Sequence, residues 1–410
     1  MTFNIHMIVG ALCASFFATL TIAPGSYTIA AITLSLLSLG YIVKTYSQFT
    51  HRDIKFIAIC LTCYFLIYLI SMLIHGASAR EIDLPSRVLL AVLVLFLVCR
   101  YPPKLNWLFV GVSVGGLISG LLALYFTFVL NTRAFYIFGY DVIQLSGICA
   151  WLSCLALVGY FHFKHYQQSK LSEVALLASA MSSLATLLSG ARGGWVFTPF
   201  ILIAILVIYR GYISRKVALK LSLYALTVLV ISAPQFLSRS SAIFSDLEQY
   251  SNAEIVNKNT SSGHRFELWK SAIYTFSEHP LFGAGHENLD QEKEKQIMSG
   301  KVNEVASWFE RAHNQFFEEL QTKGLLGLIG LLIAYLGPLS FFWKHYHSPN
   351  NQHFDTQSIS LLGIIHIISV IGFSLTQHYL NHHSGIIVFA FGTAIIAGTL
   401  IGHNNESKAI

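Results

Sequence analysis

Apolar runs of about twenty residues recur along the whole chain, and they fix its class before any motif is considered. A helix needs roughly 20 consecutive apolar residues to cross the hydrocarbon core of a bilayer. Such runs lie near 6–24, 26–43, 54–74, 84–99, 106–130 and 142–162, then near 171–188, 195–209, 217–235, 324–343, 359–377 and 384–402. With 54% of residues hydrophobic and only 11% charged, the apolar surface exceeds what a water-facing core can hold. The fold expected is all-α, a polytopic membrane protein with about 12 transmembrane helices. The first run, Met1 to Ala23, has no basic segment ahead of it and is followed by further spans. It reads as a membrane helix rather than a cleaved leader. Cys60 and Cys63 form a Cys-x-x-Cys pair, but within an apolar helix they behave as small hydrophobes, and no disulfide framework is expected.

The net charge of +6 does not point to nucleic acid. Lys and Arg gather in short loops between spans, where membrane topology accounts for them. With the N-terminus cytoplasmic, the cytoplasmic loops hold Lys44, Arg52, Arg100, Lys104, Lys164, Lys170, Arg210, Arg215, Lys216, Lys220 and Lys344. The short loops on the other face hold only Arg80, Arg133 and Arg192. Both termini are then cytoplasmic, and the long segment between the ninth and tenth spans faces outward, the periplasm of a Gram-negative cell.

That segment divides the chain into three parts: residues 1–235 with nine spans, 236–323 as a large outer loop, and 324–410 with three spans and a short cytoplasmic tail. The loop carries thirteen of the chain's twenty acidic residues together with nine Lys and Arg. Stretches such as Arg265 to Phe276 are amphipathic, and Pro280, Gly283 and Gly285 mark a turn. A small helical periplasmic cap is expected on the membrane face.

Three outer arginines break the positive-inside bias. Arg192 lies in Ser189-Gly190-Ala191-Arg192-Gly193-Gly194-Trp195, Arg265 in Gly263-His264-Arg265-Phe266-Glu267-Leu268-Trp269, and Arg133 in Asn131-Thr132-Arg133. A guanidinium there can fork onto phosphate oxygens, and glycines beside Arg192 would let backbone approach a bulky anionic headgroup. The plainer alternative is an arginine that snorkels to the interface. A second constellation is Arg311-Ala312-His313-Asn314, followed by Glu318, Glu319 and Gly324-Leu325-Leu326-Gly327. A histidine held above the membrane suits proton transfer near neutral pH. Asn314 and Glu318 are four apart, so on one helix they would share a face and could pair. His378, His382 and His383 form a third group; without carboxylate or cysteine partners they read as a polar rim, and no metal is expected. The spans carry no ladder of Asp and Glu, which argues against a proton-coupled transporter.

At these residues the chain resembles the O-antigen ligase and polymerase superfamily. The resemblance rests on the Ser-Gly-Ala-Arg-Gly-Gly-Trp run at 189–195, on Gly263-His264-Arg265 with Trp269, on Pro280-Leu281-Phe282-Gly283-Ala284-Gly285, and on Ala312-His313-Asn314 ahead of Glu319 and Gly324 to Gly327. It covers about 180–345 in detail and the earlier spans only in number and hydropathy. It implies an inverting, membrane-embedded glycosyltransferase of the GT-C type in the bacterial inner membrane, working on the periplasmic side. The implied donor is a glycan on undecaprenyl pyrophosphate, and for a ligase the implied acceptor is a sugar hydroxyl of lipid A–core, with no metal or other cofactor. It also implies catalytic roles for Arg192 and Arg265 on the pyrophosphate and for His313 as the base. Arg133, Asn314, Trp269 and Arg311 are the candidates for substrate contacts. O-antigen polymerase and protein O-oligosaccharyltransferase are the alternatives within the superfamily, and a non-enzymatic lipid-linked glycan transporter the alternative outside it.

Overall fold

The computed structural model describes residues 5–45, 51–252, 261–348 and 353–409, and among them it is all helical, with no strand. In chain order the helices are α1 (Ile5–Ala18), α2 (Tyr27–Gly40), the single turn α3 (Ile42–Thr45), α4 (Arg52–His75), α5 (Asp83–Arg100), α6 (Leu105–Leu124), α7 (Val142–His165) and α8 (Ser169–Leu188). They continue with α9 (Arg192–Ile208), α10 (Arg215–Asn252), α11 (Ser261–Glu278), α12 (Leu289–Met298), α13 (Gln315–Tyr346), α14 (Phe354–Ser374) and α15 (His383–Ala409). Among the described residues nine helices are long and apolar enough to cross a membrane, and three shorter apolar ones, α1, α2 and α9, complete the twelve expected segments. The chain is a multi-pass membrane protein.

Burial sorts these helices. In α7, α14 and α15 the most apolar windows are 89%, 83% and 100% buried, so these three form the centre of the bundle. The corresponding window of α10 is 17% buried, so its apolar side chains meet lipid rather than protein. Lipid supplies little hydrophobic force between helices, so close contact depends on small side chains. α6 shows this on two faces. A Cβ on Gly111 would lie 2.3 Å from the Ala14 carbonyl oxygen of α1, and one on Gly120 would lie 2.5 Å from Met181 Cβ of α8. All six cysteines are free, and Cys60 Sγ fills the space above Gly337 of α13.

The connections meet at two ends of the bundle. At one end Tyr140 donates to the Ile22 carbonyl, His75 reaches the Phe282 carbonyl, and Arg133 reaches Ser189. At the other end Tyr166 donates to Asp355, and His403 reaches the Pro103 carbonyl. The polar segment sits at the first end. α10 does not stop near 235 but runs on to Asn252, 38 residues in all, so at about 1.5 Å per residue it outruns the bilayer. α11 packs beside it and α12 packs on α11 as the cap, tied by Ser271 Oγ to Gln296 Oε1 (2.6 Å) and by Gln296 Nε2 to Thr275 Oγ1 (2.9 Å).

α13 joins cap to membrane through a break. Gly324 has φ 62° and ψ −149°, far from helical values. The Pro280 to Gly285 turn inserts there and takes over the freed backbone bonds. Leu325 N–H donates to the Pro280 carbonyl (2.8 Å), Ala284 N–H to that of Gln321 (2.9 Å), and Gly285 N–H to that of Thr322 (3.0 Å). Gly283, at φ 69°, lies so close that a Cβ would stand 2.4 Å from Lys323 N. The turn of the cap and the glycines opening the tenth span are therefore one joint. The break divides α13 into residues 315–323, tied to the cap turn, and residues 325–346, which continue the apolar run.

Candidate active site

The Arg192 wall is built from a tight turn. α8 ends at Leu188, Ser189 Oγ accepts from Ala191 N–H (3.2 Å), and Gly190 turns the chain at φ 61° so that Arg192 opens α9. The neighbouring glycines serve packing, not access. A Cβ on Gly193 would lie 2.4 Å from Thr376 Oγ1, and one on Gly194 2.3 Å from Ser146 Oγ. The expectation that they clear room for a headgroup is therefore corrected: they let α9 close onto α7 and onto the end of α14. Arg133 donates through Nε to the Ser189 carbonyl, and Ala134 N–H donates to Leu188 (3.3 Å). Arg133 thus buttresses the turn that presents Arg192.

The His313 wall is held from both sides. Asn314 caps α13: its Oδ1 accepts from Phe316 N–H (2.9 Å) and Phe317 N–H (3.3 Å), while its Nδ2 donates to the Leu375 carbonyl (3.0 Å). Its side chain does not pair with that of Glu318; the two residues are joined only by the helical bond from Glu318 N–H to the Asn314 carbonyl (2.9 Å). A capping residue precedes the helix and turns its side chain onto the first-turn amides, so the expected shared face is absent. Glu318, 0% exposed, instead accepts from Arg311 Nη1 (3.0 Å), Ala312 N–H (2.9 Å) and Gln321 Nε2 (2.9 Å). Trp269 Nε1 donates to the Ala312 carbonyl (3.0 Å) and its ring stacks on Phe317. With Ala312 and Asn314 both pinned, His313 is held at φ 48°, in the left-handed region that few side chains adopt. Its ring lies 5.5 Å from that of Phe309 and 5.2 Å from that of His378, and its Nδ1 is 2.7 Å from Gln377 Oε1.

The charge of Arg265 links the two walls. Burial lowers the pKa of the half-buried Arg265, and the charge of Arg192 lowers it further. Burial also lowers that of His313; the hydrogen bond with Gln377 opposes this, and the charge of Arg265 adds to it. Arg265, at the start of α11, therefore lies within the field of Arg192 at the start of α9, and His313, ahead of α13, within that of Arg265. An anion entering between the arginines would relieve their mutual repulsion.

Several residues at this site carry no sequence signal of their own. Gln377 sits in the α14–α15 connection; its Nε2 meets His382 Nε2 at 3.2 Å, and His382 Nδ1 meets Asp141 Oδ2 at 3.1 Å. Of the three histidines grouped in the sequence, His378 and His382 lie beside His313 with their ring centroids 4.5 Å apart and their planes tilted, whereas His383 turns away to Arg87. Behind the site Glu319, also 0% exposed, accepts from Tyr68 (2.8 Å), Tyr64 (3.2 Å) and Gln315 (2.8 Å), and pairs with Lys323 Nζ at 3.0 Å. A tyrosine pair four apart in the apolar α4 was the available clue to that network. A cavity of ≈ 370 Å³ opens beside it, between Arg80, Glu81, Glu287, Arg311, Lys323 and Asn381. Among the described residues one group has metal-ligand spacing, Glu278, His279 and Glu292. It lies in the cap, and its two carboxylates are already paired with Lys301 and Lys295.

Two comparisons bear on this arrangement. A family model described as O-antigen ligase matches residues 174–332. That range holds Arg192, Arg265, Trp269, Arg311, His313 and Asn314, and leaves Arg133, Asp141, Gln377 and His382 outside. A protein of Haemophilus influenzae, described as an uncharacterized protein, is 34% identical over 406 residues, covering 95% of this chain and 96% of its own length.

Proposed function

The chain belongs to the O-antigen ligase and polymerase superfamily, and we propose that within it the protein is a ligase, transferring a glycan from undecaprenyl pyrophosphate to a sugar hydroxyl of lipid A–core. The observation that carries this reading is the family match over residues 174–332, the range that holds Arg192, Arg265 and His313; the field of Arg192 reaches Arg265, and that of Arg265 reaches His313. The arginines would take the pyrophosphate, whose negative charge grows as the bond to the sugar breaks. Fixed guanidiniums aimed at developing charge stabilise such a transition state. Two of them meet that need without a divalent ion. Glu318, the carboxylate whose charge acts on His313, is already committed to Arg311, Ala312 and Gln321.

His313 would act from the opposite side of the sugar. The acceptor O–H loses its proton to the ring nitrogen not engaged with Gln377, Nε2. The hydroxyl oxygen bonds to the anomeric carbon, the carbon–oxygen bond to the diphosphate breaks, and its electron pair leaves with undecaprenyl pyrophosphate. Attack opposite the leaving group inverts the anomeric centre. The lipid carrier would enter from the outer leaflet of the inner membrane, between the Arg192 turn and the cap, so the active site is periplasmic. Trp269, Asn314, Arg311 and Arg133 act on the substrate indirectly in this reading, by fixing the backbone that carries the reacting groups.

A deletion strain of the source organism tests the assignment on a lipopolysaccharide gel. Loss of a ligase leaves polymer on undecaprenyl pyrophosphate and core without glycan. Single repeat units on core would identify a polymerase instead and overturn the reading.

A further inference from the structure

We propose that Gln377, His382 and Asp141 are positioning residues that hold His313 in one tautomer, with Nδ1 protonated and Nε2 open to receive a proton. This deepens the reading of His313 as the base and rests on it. Three contacts form one line from His313 to the start of α7: His313 Nδ1 to Gln377 Oε1 (2.7 Å), Gln377 Nε2 to His382 Nε2 (3.2 Å), and His382 Nδ1 to Asp141 Oδ2 (3.1 Å). The residues come from the entry to α13, the α14–α15 connection and the turn before α7, so only the folded bundle assembles them.

The direction of every bond follows from the Asp141 end. Asp141 caps α7, its Oδ1 accepting from Ile143 N–H (3.1 Å) and Gln144 N–H (3.2 Å). Burial acts to raise its pKa, but the bonds from His382, Gln144 and Ile143 outweigh that and hold the carboxylate below its ordinary range. An ionised carboxylate accepts only, so His382 carries its proton on Nδ1. With its proton on Nδ1, His382 presents a lone pair at Nε2, which takes a hydrogen from the Gln377 amide. The Gln377 carbonyl is left facing His313 and accepts from Nδ1–H. The second nitrogen of His313 is therefore a lone pair. The reverse orientation of the amide would turn its NH2 onto His313 Nδ1 and require a proton on His382 Nε2 as well as on Nδ1. An amide cannot itself pass a proton onward. The chain holds and polarises the base, and the proton leaves from Nε2.

The test uses the full-length protein reconstituted in lipid, with undecaprenyl pyrophosphate glycan and lipid A–core. Asp141→Asn keeps the helix cap and removes the charge; Gln377→Leu removes the acceptor; Gln377→Glu places a carboxylate directly on Nδ1–H. The first two should lower kcat about ten- to hundredfold with KM for the donor unchanged. Gln377→Glu should retain activity and move the acid limb of kcat to higher pH. Groups facing His313 that also set this limb are Arg265 from α11, Glu318 from α13, and His378 and His382 from the α14–α15 connection. In a His313→Ala background Gln377→Leu should cost nothing further. Wild-type kcat and an unmoved limb in Asp141→Asn and Gln377→Glu would overturn the inference while leaving the base intact, as would losses that multiply with that of His313→Ala. Full activity of His313→Ala would instead remove the base reading, and this inference with it. Should Gln377→Leu fail to fold, Gln377→Glu decides between a tuned base and a merely structural contact, since only the former moves the limb.

Discussion

Arg311 donates through Nη1 to Glu318 at 3.0 Å, and the same carboxylate takes the backbone N–H of Ala312 at 2.9 Å. One buried side chain thus fixes the two residues that precede His313. Arg311→Ala would leave Glu318, 0% exposed, short of its counter-charge. Orphaning a buried partner costs roughly 1–3 kcal/mol, so the variant is expected to unfold at lower temperature in detergent and to lose transfer through displacement of His313. Glu318→Gln keeps the shape and should fall between that variant and wild type. Unchanged melting of Arg311→Ala would assign Arg311 to substrate rather than to the loop.

The joint at Gly324 gives a second prediction. Gly283 and Gly324 both hold positive φ, and a Cβ on either would meet the other segment's backbone, 2.4 Å from Lys323 N and 2.6 Å from the Leu281 carbonyl carbon. Alanine at either position must push the Pro280 to Gly285 turn off α13. Each single variant should lose more than about 1 kcal/mol, the usual cost of a non-glycine in a strained conformation. Because both break the same joint, the double variant should cost less than the sum of the two. Thermal melts of the four proteins in detergent check this.

How much of this could be read from the sequence differs by feature. The helices were legible because lipid imposes a length and an apolar composition on each span. Arg192 and Arg265 stood out in the sequence as outer arginines and His313 as a histidine ahead of the tenth span, while their roles came from the family resemblance. The role of Asn314 was misread because spacing alone does not tell a residue inside a helix from the one that caps it. The glycines beside Arg192 were misread for a similar reason, since a glycine needed for packing looks like one needed for access. Gln377 and Asp141 gave no signal at all. Each is an ordinary polar residue in a connection, and its importance comes from partners 64 and 241 positions away.

Arg265 separates a phosphate clamp from a simple counter-charge. Arg265→Ala should cut transfer by about a hundredfold or more, the scale seen when one donor to a developing anion is removed. Arg265→Lys keeps the charge but loses the paired donors, and should recover only a small part. If the guanidiniums do the work of a metal, transfer by the wild-type enzyme persists after incubation with EDTA. Strict dependence on an added divalent ion would contradict that. Kinetics of the three proteins with a fixed donor, with and without chelator, decide both points.

The account turns on His313, whose pKa is lowered chiefly by burial and further by the charge of Arg265. A base works in its neutral form, so activity should rise with pH along a limb below the ordinary histidine range and stay level above it. The most direct measurement is transfer from undecaprenyl pyrophosphate glycan to lipid A–core by purified His313→Ala beside wild type, both shown to be folded in the same detergent. The account predicts a glycan ladder on lipid A–core for wild type and none for the variant; equal ladders from the two proteins would contradict it.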